Sequence, residues 1–142
     1  MCLKFPNKIN LEKDLTVYKI FAVKSDSNVL CSPFYRNYVW KKNKVYSTNT
    51  NEPIITSVCY SLEDAVNYTI IEGNAFHSYM KLQDALNVKN LLNKNYTLTK
   101  DAFLIVCKCI IPKDSNFVYR GISSYVVSYA SEKLKIIETV EL

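Results

Sequence analysis

The chain predicts an α+β single domain, a mostly antiparallel sheet with two short helices packed on one face. Three observations carry that prediction: runs of β-branched and aromatic residues stand toward both ends, two stretches with helical apolar spacing lie between them, and strands and helices do not alternate as in a doubly wound fold. At 142 residues the chain suits one domain, residues 1–142. Such a domain buries about two thirds of the surface exposed when unfolded. A composition of 49% hydrophobic and 22% charged residues is globular and excludes collagen, coiled coil and disorder.

Residues 1–15 read as a polar lead-in. Thr16 to Val23 is then a strand ending at the turn cluster Ser25-Asp26-Ser27-Asn28. Pro33 limits the return to short edge pieces, with Tyr35 to Trp40 and Val45 to Tyr46 flanking the basic turn Lys41-Lys42-Asn43-Lys44. Ile54 to Tyr60 reads as a strand running into Ser61, an N-cap candidate with Glu63 and Asp64 in the following turn. Leu62, Ala65, Val66, Thr69 and Ile70 recur at helical spacing and predict the first helix, stopped by Gly73-Asn74. Phe76 to Tyr79 is strand-like, and Leu82, Ala85, Leu86, Val88 and Leu92 predict the second helix. Ala102 to Ile111 is the most apolar run and reads as a central strand covered on both faces. Phe117 to Tyr119, Tyr125 to Ser128 and Lys133 to Val140 complete the strands.

The net charge of +5 is unevenly placed. Residues 1–50 hold nine Lys or Arg against three acids, so they carry +6, and the rest carries −1. An electrostatic partner should therefore meet the N-terminal third. With only Arg36 and Arg120 as arginines, sequence-specific DNA reading is disfavoured. No window of 18 apolar residues occurs and the first residues contain no apolar run of a signal peptide, so the reading is a soluble, cytoplasmic protein of a bacterial host cell with no membrane partner. Cys2, Cys31, Cys59, Cys107 and Cys109 are an odd count without the spacing of a disulfide framework or a zinc site. Cys107 and Cys109 share a strand face with Phe103, Ile105 and Ile111, which favours buried structural thiols over a metal site.

With only Gly73 and Gly121, the chain cannot build a Walker loop or a dinucleotide fingerprint, and no cofactor is expected. His77 is the sole histidine, so any His-dependent general base must be this residue. An ADP-ribosyltransferase-like or other transferase or hydrolase site would use His77 with Tyr79 and Glu138, although the first strand carries neither the Arg nor the His such a site uses. The strongest candidate surface is Ser32 to Tyr46, where Tyr35, Arg36, Tyr38, Trp40, Lys41, Lys42 and Lys44 interleave aromatics with cations. Aromatics of that kind anchor in protein pockets or stack on bases while the cations meet carboxylates or phosphates. They equally suit a hairpin packed by its rings, with Trp40 in the core.

Taken in order, Met1-Cys2-Leu3, Val17-Tyr18-Lys19, Ser32-Pro33-Phe34-Tyr35 with Trp40, Lys44-Val45-Tyr46, Phe76-His77-Ser78-Tyr79, Val106 to Lys113 and Ser128 to Ile136 resemble an uncharacterised group of small proteins from phages and mobile elements of Bacteroidota-like bacteria. The resemblance spans most of the chain and implies a phage context, with no assigned reaction, cofactor or catalytic residue. Glycines of that pattern are replaced here by Asn43, Ala75 and Asp114. Asn and Asp tolerate the left-handed region, whereas Ala tolerates it poorly.

The expected function is a non-enzymatic binding protein docking on a host protein or ribonucleoprotein complex, an inhibitor of an intracellular defence such as an RNA-guided CRISPR nuclease. The enzyme built on His77 and an RNA-binding module are the alternatives.

Overall fold

The computed structural model describes residues 3–24, 30–31, 39–59, 67–95 and 102–141. Its strands are β1 (Leu3–Lys8), β2 (Leu15–Lys24), β3 (Leu30–Cys31), β4 (Val39–Trp40), β5 (Val45–Ser47), β6 (Ile54–Cys59), β7 (Asn67–Gly73) and β8 (Phe76–Tyr79). The helix α1 (Leu82–Asn95) follows, and then β9 (Ala102–Ile111), β10 (Val118–Ser123), β11 (Val126–Ser131) and β12 (Lys133–Glu141). The strands form one antiparallel sheet in the order β5-β12-β9-β2-β8-β11-β10-β1-β7-β6, with β3 joining β2 to β4.

β2 and β9 pair over their whole length, from Leu15 opposite Ile111 to Lys24 opposite Ala102. Because side chains alternate along a strand, this long ladder presents two apolar faces. Val17, Phe21 and Val23 with Ile105, Cys107, Cys109 and Ile111 form the larger core, which Trp40, Val118, Tyr129, Leu134 and Ile136 complete. On the opposite face Ile20, Ala22, Leu104 and Val106 meet Ala85 and Val88 of α1, with Leu82, Leu86 and Leu92 packed alongside. Coverage on both sides is why β9 is apolar almost without interruption.

The far half of the sheet has to curl. β7 and β8 stand four ladder steps apart, about 19 Å in a flat sheet. Yet only Asn74 and Ala75 join them, a connection of three residue steps that reaches about 10 Å. Curling turns Leu3, Ile71 and Ala130 inward, each fully buried. Ile122 and Arg120 face outward and are exposed. Gly121 sits at the tightest crossing, where a Cβ would strike the Lys4 carbonyl oxygen and come within 2.9 Å of Leu3 Cγ. The left-handed residues here and at the basic turn are Asn74 (φ 55°) and Asn43 (φ 62°), so Ala75 does not need the glycine conformation.

Two expectations change. The chain is mostly β with one helix among the described residues, in place of an α+β domain with two. The stretch read as the first helix is strand β7 from residue 67 onward; residues 60–66, including Ser61, lie outside the described residues. Tyr68, Thr69, Ile70 and Ile71 are aromatic or β-branched, and Leu3 and Ile55 both pair with the fully buried Ile71. A place between two strands outweighs the helical spacing of the same residues. The lead-in also contains a strand, β1, seated between β10 and β7. Only Leu3 is buried, the register shifts between Lys4 and Asn7, and Phe5 takes φ 53°, so its residues show no strand alternation.

Candidate functional site

The cationic turn lies at one end of the sheet, between β4 and β5. Trp40 is inside, 4% exposed, edge-on to Phe21 at 5.4 Å and to Phe76 at 5.2 Å and tilted against Tyr46 at 4.5 Å. It is an anchor of the core and supplies no partner-binding face. Lys41, Lys42 and Lys44 are exposed. Tyr35, Arg36 and Tyr38 lie outside the described residues.

The turn is fastened at several points. The Lys41 amide donates to Tyr46 Oη at 2.7 Å, the Asn43 amide donates to the Ile136 carbonyl at 2.8 Å, and Lys44 Nζ stands 5.1 Å over the Tyr46 ring. Beyond β5 the Thr48 amide donates to the Glu132 carbonyl at 3.0 Å. Glu132 is 1% exposed; its carboxylate accepts from Ser47 Oγ and, at 2.9 Å, from the Asn116 amide. A buried carboxylate is tolerated when such donors meet it. It ties β5, the β9–β10 turn and the start of β12 together.

The candidate catalytic residues do not converge. His77 and Tyr79 share a face of β8, whereas Glu138 is exposed on β12 opposite Lys108. Three ladder steps separate β12 from β8, about 14 Å. His77 Nδ1 is buried with no hydrogen-bond partner among the described residues. Burial, and then the positive charge of Lys19, push the imidazole down to about 3, so it stays neutral at physiological pH and is a poor proton acceptor. Tyr79 is 2% exposed and burial pushes its phenol up to about 12, opposed by a hydrogen bond from the Ser124 side chain. The cleft between the β1–β2 connection and the β9–β10 turn, lined by Lys8, Asn10, Lys113 and Asn116 among others, encloses about 130 Å³. That is well below the roughly 300 Å³ at which small-molecule sites begin.

Lys19 was not among the sequence candidates. β2 and β8 touch through a single bridge, Tyr18 opposite Tyr79, and then part. Where they part, Lys19 Nζ donates to the His77 carbonyl at 2.6 Å, standing where a ladder amide would otherwise be, 6.0 Å from the Phe21 ring centre. Burial lowers its pKa to about 8. The signal was present: Lys19 occupies the inward parity between Val17 and Phe21. Cys107 and Cys109 are free buried thiols, and burial, then Cys107, push Cys109 up to about 12 against the pull of Lys19.

Among the described residues no group of three His, Cys, Asp or Glu is placed to hold a metal ion, and no helix is long and apolar enough to cross a membrane. Comparison with known protein families, with curated proteins and with solved structures returns no match.

Proposed function

We propose that this chain is a non-enzymatic docking protein whose cationic turn, Lys41, Lys42 and Lys44, engages a host macromolecule. The observation that carries the reading is a hydrogen-bonded turn bearing exposed lysines, with none of the three ion-paired to another described residue. Preorganised, unpaired cations raise association rates and select acidic partners without a large ordering cost. The separation of His77 from Glu138 supports the same reading by leaving the enzyme alternative without a constellation. A protein partner is favoured over RNA because Trp40, the ring best suited to stacking on a base, is buried. The resemblance to phage proteins makes a host defence complex, such as an RNA-guided nuclease, the partner to test.

The experiment is affinity capture from lysate of the natural host, with and without nuclease, comparing the wild type with Lys41→Glu/Lys42→Glu/Lys44→Glu. A stoichiometric protein retained after nuclease and lost in the triple variant supports docking. Recovery only with intact RNA, or capture indifferent to the charges, refutes it.

A further inference from the structure

The sheet ends on two edges of opposite chemistry. β6, at one end, has the sequence Ile54-Ile55-Thr56-Ser57-Val58-Cys59 and holds no charge. β5, at the other, follows Lys41, Lys42 and Lys44 and pairs on its inner side with β12, Val45 facing Lys135. The Thr48–Glu132 bond marks a hydrogen-bonded pair of that ladder, so by antiparallel alternation Tyr46 and Leu134 form the next one. Val45 and Ser47 consequently direct their own N–H and C=O groups outward, away from β12. Among the described residues no strand covers that side of β5.

We propose that β5 accepts, by strand addition, an extended acidic segment of a protein partner; this rests on the docking reading above. A three-residue strand is ordinarily too short to template another, but the bonds from Asn43, Thr48, Ser47 and Lys41 hold it in strand geometry before any partner arrives. Val45 is 47% exposed and offers an apolar contact. Carboxylates alternating with apolar residues on the incoming strand would meet Lys41, Lys42, Lys44 and, one strand further in, Lys135. A second copy of this chain is a poor occupant, because its own β5, Val45–Ser47, brings no carboxylate to meet these lysines. RNA would find the charges but has no backbone amide to offer.

The test uses the full 15N-labelled chain and a synthetic capped hexapeptide, Glu-Val-Glu-Val-Glu-Val. Two isomers of that peptide carry N-methyl groups on one or the other alternate set of amides, and a Lys-for-Glu peptide serves as control. Binding should shift and slow the exchange of the Val45 and Ser47 amides, leave β6 unchanged, and fail with the Lys peptide. One N-methyl isomer should lose binding while the other retains it. Val45→Pro deletes an outward N–H without removing a bond to β12 and should weaken binding about tenfold at an unchanged melting temperature. Absence of binding at millimolar peptide, equal binding of both N-methyl isomers, shifts at β6, or the same shifts from single-stranded RNA would overturn strand addition. If the peptide fails while lysate capture still depends on the three lysines, docking stands and strand addition falls. If the peptide binds while capture is indifferent to them, the docking reading falls.

Discussion

Lys19→Met should stabilise the protein at neutral pH, because the wild-type core carries a cation that no carboxylate meets among the described residues. Burial lowers the ammonium from an ordinary 10.5 to about 8, so the unfolded chain holds this proton more tightly than the folded one. The difference of 2.5 pKa units corresponds to a folding penalty of about 3 kcal/mol, present in full below pH 8. Removing the charge also strips the His77 carbonyl of its donor, which costs about 1 to 2 kcal/mol. Methionine matches the lysine stem in length and can pack its sulfur beside Phe21. The net expectation is a gain of about 1 to 2 kcal/mol at pH 7, or roughly 3 to 8 °C in melting temperature. As pH rises from 8 toward 10.5 the wild type sheds the penalty and the two proteins should converge. Ionisation of Cys109 and Tyr79 above pH 9 destabilises both, so the difference between them is the quantity to follow. Urea unfolding at pH 7, 8.5 and 10, followed by the fluorescence of Trp40, the single tryptophan, measures it. A variant less stable than wild type at pH 7, or a difference that does not change with pH, would refute the reasoning.

Acid should destabilise the fold through His77, whose folded pKa of about 3 lies below the ordinary 6.5: stability is lost as pH falls from 6.5 toward 3, about 2 to 3 kcal/mol by pH 4.5. His77→Gln should lack that part of the loss in urea unfolding at pH 7 and 4.5. Glu132→Ala leaves the Ser47 hydroxyl and the Asn116 amide without their acceptor and should cost about 2 to 4 kcal/mol, with faster amide exchange along β5. Tyr125 is fully exposed and held at φ 66°, so Tyr125→Gly should raise stability by about 1 kcal/mol; a lower melting temperature would show that the ring is bound in place. Cys107 and Cys109 should resist a maleimide in the native protein and react fully in urea, read by peptide mass mapping, because only the thiolate attacks and burial suppresses it.

Much was legible along the chain. β2, β8, α1 and β9 follow the patterns of Thr16 to Val23, Phe76 to Tyr79, Leu82 to Leu92 and Ala102 to Ile111, because β-branching, apolar period and turn residues act locally. The exposed lysines of the β4–β5 turn were equally visible, since Lys41-Lys42-Asn43-Lys44 has no apolar side to bury. Strand β7 reads as a helix in sequence because Thr69 and Ile70 continue the spacing of Leu62, Ala65 and Val66, and the choice between helix and strand depends on whether neighbours stand on both sides. β1 is not legible in the sequence because only Leu3 is buried and the register shift between Lys4 and Asn7 breaks its alternation.

By itself the sequence determined the apolar strand at the centre, the helix that covers one of its faces and the concentration of cations in the first third. Pairing between residues far apart in the chain decided the rest: that Trp40 belongs to the core, that Lys19 closes the gap between β2 and β8, that Glu138 stands three strands away from His77, and that β5 ends the sheet with no strand on its outer side among the described residues. Those outcomes depend on which backbone groups meet across the sheet. Local propensity does not encode that choice, because a strand's partners are set by the burial the whole sheet achieves.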